Sequence, residues 1–394
     1  MKQQITKLAK SIGIEIIGFT SVVDYSYLSD FLYNRINKDY SCEFEEQDIN
    51  KRLDVRDIFP NCKSIIAIGV PYAYGYKKPV TKDKGLLSIV SYGEDYHKKL
   101  NTLLKMLADE IKNQVDFDYE ICVDTSPLLD REICKNAGIG SYGKNSLLIN
   151  DKFGSFINLG YLLTDLKIDC ENMANDINIC GDCNLCINSC PNNAIFNEGG
   201  INTKKCVSYL TQTKEYIPLE YRKNMKNQIY GCDVCQLVCP KNKTNSEKNN
   251  NIDYSNLLID LQELLQISNK EFATKYRDLS GSWRGKNVWK RNALISIANL
   301  GLEEMFEIVK NELNNESDMI KIYAAWCLMK LNKEEASKIL HNSMKLENDT
   351  VKSEFIKLAE AEYDSRNLWN RTNNLRIWFL KGKKTRFKKY YRKD

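Results

Sequence analysis

Cys180, Cys183, Cys186 and Cys190, followed by Pro191, stand at the spacing C-x2-C-x2-C-x3-C-P. Bacterial ferredoxin loops use this run to hold iron–sulfur cubes. Three thiolates two residues apart let a tight loop wrap one cube, and the fourth, set beside a proline, points away to another. The second cube then needs three more thiolates and the first needs one. Downstream lie Cys206 and the group Cys232-x2-Cys235-x3-Cys239-Pro240, so eight thiolates serve two [4Fe–4S] clusters. The expected division puts Cys180, Cys183, Cys186 and Cys239 on one cluster and Cys190, Cys206, Cys232 and Cys235 on the other. Zinc also takes CxxC pairs, but seldom a four-cysteine run ending in Cys-Pro twice over. Six of the fourteen cysteines remain: Cys42, Cys62, Cys122, Cys134, Cys170 and Cys327. Scattered in apolar surroundings, they read as small buried hydrophobes, with Cys170 set apart by its closeness to the first loop.

Two clusters only carry electrons, and a bare ferredoxin needs far fewer residues, so the rest of the chain must hold what the electrons reduce. Asp124 follows a predicted strand and precedes a proline-started helix. In an α/β domain, ligands bind in the crevice at the carboxyl ends of strands. A carboxyl group buried there has its pKa raised and can donate a proton near neutral pH. The alternative is that Asp124 satisfies backbone amides at the turn. Gly138-Ile139-Gly140-Ser141-Tyr142-Gly143 spells G-x-G-x-x-G but follows a helix, whereas a dinucleotide fingerprint opens one. It reads either as a plain loop or as a turn whose amides, with Lys144, hold an anionic group. His97 is one of two histidines. One imidazole cannot build a conventional metal site, so a packing or capping role is the expectation.

The elements that position these residues follow from periodicity. Residues 3–12 predict a short helix, Ile14 to Phe19 a strand, and Ile65 to Val70 a buried strand closed by Pro71. Leu100, Leu103, Leu104, Leu107 and Ile111 recur at helical spacing, predicting an amphipathic helix over 96–114. Tyr119 to Val123 predicts a further strand. Thr125-Ser126-Pro127 then supplies an N-cap and first-turn proline for a helix through about Ala137. The fold class expected is α+β multidomain: an α/β domain over 1–165, a ferredoxin-like two-cluster domain over 166–250 and a helical domain over 251–380. A basic tail over 381–394 follows. Lys241 to Asn251 is polar and reads as a linker. Two helical segments, Trp289 to Leu294 and Ile322 to Leu328, look like cousins at a spacing used by α-helical repeats. Two copies do not establish a period, and a plain helical bundle fits the pattern nearly as well.

Composition places the chain among ordinary globular proteins, with 43% hydrophobic and 28% charged residues. The N-terminus lacks the apolar run of a secretory signal, and no window reaches the length of a membrane span. A cytoplasmic chain with reduced thiols is therefore expected. The net charge is +5, yet the last fourteen residues hold eight basic residues and one acidic, leaving the remainder slightly acidic.

Val123 to Arg131, Ala137 to Gly140, Gly143-Lys144-Asn145, and Gly154-Ser155-Phe156 to Leu163-Thr164-Asp165 resemble the epoxyqueuosine reductase family. So do the first cysteine loop, Cys206 to Thr211, Gly231 to Gln236, Arg291-Asn292-Ala293 and Ala324-Ala325-Trp326. The resemblance covers nearly the whole chain and is specific in combination. It implies an oxidoreductase that completes queuosine at the tRNA wobble position, reducing an epoxide to an alkene. It implies base-off cobalamin in a nitroreductase-like α/β core beside one cluster, and a HEAT-like helical domain. An aspartate matching Asp124 protonates the departing oxygen. By the same analogy Arg56, Tyr96, His97, Asp124, Lys144 and Ser208 are cofactor-pocket candidates. A longer Cys170–Asn178 approach departs from compact family members. The expected partners are epoxyqueuosine-containing tRNA and a low-potential electron donor, with a monomeric chain and no membrane. Lys383, Lys384, Arg386, Lys388, Lys389, Arg392 and Lys393, interleaved with Phe387, Tyr390 and Tyr391, either contact RNA phosphates and bases or form a solvated end. Two other readings remain open. A reductive dehalogenase relative would carry a twin-arginine export signal, and a plain electron carrier would be indifferent to changes at Asp124.

Overall fold

Residues 65–71 are apolar without interruption, the pattern of a strand covered on both faces. The computed structural model describes residues 1–73, 76, 79, 82–170, 178–242, 254–343, 348–356 and 358. In chain order its strands are β1 (Ile16–Ser21), β2 (Ser64–Pro71), β3 (Lys84–Leu87), β4 (Tyr119–Cys122) and β5 (Ser141–Tyr142), then β6 (Leu148–Ile149), β7 (Ile157–Thr164), β8 (Gln228–Tyr230) and β9 (Leu258–Asp260). The main sheet has the order β1-β2-β7-β4. Strand side chains alternate between faces. Ile66, Ile68 and Val70 therefore meet Ile5, Ala9, Leu100, Leu104 and Leu107, carried by helices Lys2–Ser11 and Tyr96–Lys112. Ile65 and Ala67 face the other way, toward Leu32 of helix Ser29–Asn37 and Ile133 and Cys134 of helix Asp130–Asn136. Every residue of β2 is buried.

Strands and helices alternate as expected, but every pairing in this sheet is antiparallel. β2, helix Tyr96–Lys112 and β4 do make a crossover between strands of the same direction. β7, arriving later in the chain, inserts between them and runs against both. Asp124 thus lies past the carboxyl end of β4 and beside the amino-terminal half of β7. The helix after it also differs from expectation. It begins at Asp130, with Leu129 at the N-cap position, rather than at Thr125-Ser126-Pro127. The Ser126 hydroxyl is taken by Asp130 and Tyr161, at 3.3 and 3.2 Å, and caps no amide.

A second sheet, β8-β3-β9, draws one strand from each of the three sequence regions, with β3 parallel to β8 and antiparallel to β9. The core around it runs from Leu86 through Leu210 and Ile229 to Leu261, Trp289 and Tyr323. The changes in sequence character at residues 165 and 250 therefore do not divide this core. The cousin segments lie on helices Lys286–Leu300 and Asp318–Leu331, which pack against each other. Of the expected linker at Lys241–Asn251, Asn242 is packed into the fold: it is buried and its amide donates to Ser155 Oγ and Gln236 O. The rest of that linker, up to Asn251, and the basic tail over 381–394 lie outside the described residues.

Candidate active site and cysteine centres

The eight cysteines are carried on short turns whose ends are fixed by backbone hydrogen bonds. Cys183 N donates to Cys180 O and Cys190 N to Ile187 O in the first loop, as Cys239 N does to Gln236 O in the last. The short helices Leu185–Ser189 and Val234–Leu237 pack together and bring the two ends of the module into register. Cys239 lies within electrostatic range of Cys180 and Cys183, and Cys186 within range of Cys180 and Cys239. Cys232 is similarly close to Cys206 and Cys190, while Cys235 senses Cys206, Cys232, Cys186 and Cys190. These neighbourhoods link Cys239 and Cys186 to Cys180, and Cys232 and Cys235 to Cys206 and Cys190, with Cys235 also near Cys186. Burial pushes the Cys232 thiol up to about 12 and raises Cys206 and Cys235 as well. Backbone amides point at the sulfurs: Lys144 N donates to Cys180 Sγ at 3.4 Å and Ala194 N to Cys190 Sγ at 3.2 Å. Such N–H···S bonds suit thiolates that bind a cluster. Of the other cysteines, Cys42, Cys62, Cys122, Cys134 and Cys327 are buried. Cys170 donates to Ile168 O, and its charged neighbours are Lys2 and Asp169 rather than cluster cysteines.

Asp124 sits in the left-handed backbone region at φ 53°, next to a tight turn in which Thr125 N donates to Val123 O. Its side-chain partners come from the N-terminus of helix Tyr96–Lys112. The Tyr96 hydroxyl donates to Asp124 Oδ2, and His97 Nε2 stands 3.6 Å from the same oxygen. The two rings stack at 4.0 Å between centroids. Asp95 caps the helix by accepting from His97 N and also binds His97 Nδ1 at 2.7 Å, turning Nε2 toward Asp124. His97 is expected to pack or to cap; instead Asp95 caps its amide, and its ring is a partner of Asp124. Its hydrogen bonds to Asp124 and Asp95 raise its pKa to about 9, against some loss from burial.

The raised pKa expected for Asp124 does not occur. Desolvation pushes it up, but bonds from His97 and Tyr96 and the Arg131 charge outweigh it, and Asp124 lies below the ordinary aspartate value. Its side chain is 60% exposed, so the site is open rather than buried. The neighbouring carboxyl that burial does raise, to about 6, is Asp130, which accepts from the Tyr161 hydroxyl at 2.6 Å. Neither Asp95 nor Asp130 was singled out from the sequence. Asp95 carried the usual signal of an acidic cap before a helix, whereas Asp130 carried none.

Three other expected pocket residues have different company. Arg56 forks onto Asp54, two residues back, and is 53% exposed. Lys144 donates its side chain to Asn184 at 2.8 Å and its amide to Cys180 Sγ, so both of its donors face the cysteine loop. Gly143 N donates to Leu147 O within the β5–β6 hairpin, which uses up another amide of the expected nest. Ser208 lies in the helix after Cys206, with its amide toward that thiol. Asp233, between two cysteines, was also missed. It is buried, pushed up to about 7 by desolvation, and accepts from Ile89 N at 2.9 Å. That bond ties the second cysteine group to the segment just before the Asp95 cap.

Residues 179–242 match the family model for a 4Fe-4S double cluster binding domain. Residues 52–125 match the model described as epoxyqueuosine reductase QueG, DUF1730. An epoxyqueuosine reductase of Staphylococcus aureus is 37% identical over 365 residues, covering 91% of this chain and 96% of that protein. The Bacillus subtilis protein of the same name is 34% identical over 363 residues, covering 89% and 92%. A crystal structure of epoxyqueuosine reductase with an epoxyqueuosine-modified tRNA-Tyr stem loop superposes with a TM-score of 0.85 at 33% identity, covering 91% of this chain and 98% of that one. A structure of epoxyqueuosine reductase from Bacillus subtilis, with a TM-score of 0.83 at 33% identity over 91% and 98% of the chains, has a catalytic loop swung out of the active site. No helix among the described residues is long and apolar enough to cross a membrane. With identity above 30% along nine-tenths of its length, this chain belongs to the epoxyqueuosine reductase family.

Proposed function

We propose that this chain is an oxidoreductase reducing epoxyqueuosine in tRNA to queuosine, the epoxide taking up two electrons and two protons to leave an alkene and water. The observation that carries the reading is the Tyr96–His97–Asp124 group, with the bond from Ile89 to Asp233 tying the segment before it to the module that carries the eight cysteines. Cys180, Cys183, Cys186 and Cys239 would hold one [4Fe–4S] cluster, and Cys190, Cys206, Cys232 and Cys235 the other. Their donor chemistry and the amides aimed at Cys180 and Cys190 fit that use. Electrons would come singly from a low-potential donor.

Polar groups to spare support a cobalamin site in the same region. The Ser88 and Ser91 hydroxyls are buried without a hydrogen-bond partner among the described residues, and they flank the Ile89 amide held by Asp233. Ser88, Ser91 and Tyr96 are the residues that would contact it. When bound, the corrin supplies a metal able to collect single electrons and deliver a pair to carbon. The protein's own part is protonic. At neutral pH His97 is an imidazolium held between two carboxylates, and Asp124 is the carboxylate that faces outward. As the C–O bond breaks, the developing alkoxide takes a proton from the His97–Asp124 pair, with Tyr96 holding the carboxyl oxygen in place.

The decisive measurement is mass spectrometry of nucleosides from tRNA of a strain lacking this protein. Epoxyqueuosine should accumulate, and return to queuosine on complementation. Unchanged queuosine in that strain would exclude the reading.

A further inference from the structure

We infer that Trp283, Phe44 and Arg284 form a stacking platform for an unpaired nucleobase next to the reacting nucleotide, an inference that rests on the RNA substrate proposed above. Trp283 is 59% exposed and Phe44 40%. Their rings meet edge to face at 5.7 Å between centroids. The Arg284 guanidinium lies over both, 4.6 Å from the Trp283 ring and 4.8 Å from the Phe44 ring. Two large apolar surfaces and a cation are thus displayed together toward solvent.

The display is built into the fold. A Cβ on Gly281 would come within 2.5 Å of the Tyr230 ring, so only glycine lets this turn lie flat on that tyrosine. Gly281 O accepts from Trp289 Nε1 at 3.0 Å, and Arg284 Nε donates to Gln212 O at 2.6 Å. Gly285 N closes the turn on Ser282 O. Behind Phe44 stands Tyr209, whose hydroxyl is held by Glu43. The aromatic pair is therefore presented on a pinned turn and a packed neighbour.

Its position points to the occupant. A side-chain hydrogen bond links Trp283 to Tyr230, and Tyr230 in turn senses the charges of Asp124 and Asp95. On the same segment, Asp278 pairs with Lys98 at 2.7 Å, one residue beyond His97. The Lys98–Asp278 pair thus ties the segment that carries the platform to the helix end that carries Tyr96 and His97. Bases splayed out of an RNA loop stack on aromatic rings and on guanidinium planes, and a cation at the edge suits the adjoining phosphate. A base neighbouring the reacting one meets all three conditions.

A short RNA stem loop carrying 2-aminopurine on one or the other side of the wobble nucleotide tests this on the reconstituted full chain. Wild-type protein should quench the fluorophore at one of the two positions. Trp283→Ala should lose the quenching and bind the stem loop about tenfold or more weakly, while Trp283→Phe keeps most of both. Phe44→Ala gives a second, independent edge of the platform should Trp283→Ala fail to retain wild-type iron content and thermal unfolding. Undiminished binding with intact quenching in folded variants overturns the platform, as does an absence of quenching at both positions in wild type. A platform that docks a protein instead would give that undiminished result. Failure of the wild-type chain to bind the stem loop at all would instead count against the RNA substrate itself, so the two failures are told apart.

Discussion

Around Cys206 and Cys232 the backbone is gripped from the helical region. Arg291 donates to the carbonyls of Leu210 and Thr213, and Asn292 to those of Thr211 and Ile229, both side chains being fully buried. Arg222, equally buried, sets its guanidinium 4.2 Å from the Tyr323 ring and donates to Ile217 O. Around Asp124 the arrangement is the reverse. An exposed side chain on a left-handed residue is steadied by Tyr96 and His97 of one neighbouring helix end. Holding a non-glycine residue at positive φ costs about 1 kcal/mol or more, so this loop is held under mild tension. The contrast fits the two tasks. Electron carriers work best when nothing around them reorganises, whereas the proton donor proposed for the Asp124 site must meet a large substrate and part from it.

Experiments can break or sharpen that contrast. The largest effect is expected from Cys183→Ala, which should abolish turnover and lower anaerobically reconstituted iron from about eight toward about four per chain. Iron that stays near its full complement would overturn the division of ligands. Asp124→Asn should leave iron content intact while slowing turnover by about 10²–10⁴-fold, the usual contribution of a positioned acid or base. Wild-type turnover there would remove Asp124 from the mechanism. Asn292→Leu should behave in the opposite sense, stranding the Thr211 and Ile229 carbonyls and lowering stability by about 2–4 kcal/mol in anaerobic urea unfolding. No change in stability would mean the grip is dispensable.

The smallest effect is in the pH profile. His97 has its pKa raised to about 9 in the folded chain, above its ordinary 6.5. It is charged at neutral pH, so the rate should hold below that value and fall as pH rises through about 9. The stabilisation from its carboxylate partners is complete below pH 6.5 and fades over the same upper range. His97→Gln should flatten the profile, and an unaltered alkaline limb in that variant would assign the titration elsewhere.

What could be read from the chain beforehand follows the range of the forces involved. The cysteine run is a local pattern, because a loop around a cube constrains residues two and three positions apart. Leu100, Leu104, Leu107 and Ile111 likewise announce their helix within four turns. The Asp124 site depends instead on Tyr96, 28 residues away, and only the paired strands bring them together. The insertion of β7 between β2 and β4 has no local signature, so the direction of the sheet was not readable from alternation. Burial alone misled in the same way: Asp124 is desolvated as expected, but bonds from His97 and Tyr96 outweigh it, and the carboxyl whose pKa rises is Asp130, six positions on. Arg56 and Lys144 are pocket candidates by the family resemblance, and the partners they hold here, Asp54 and Asn184, have no signature in the sequence.

The three-stranded sheet has a bearing on biogenesis. Lys84 O accepts from Asn227 Nδ2 across a separation of 143 residues, and its amine pairs with Asp260 across 176. A chain leaving the ribosome amino end first cannot complete that sheet until β9 has emerged, and closing such long loops is slow. Thiols displayed earlier would be unshaped and open to oxidation. Completion of this sheet, and of the core packed around Cys206 and Cys232, therefore waits on residues that follow the last cysteine of the module.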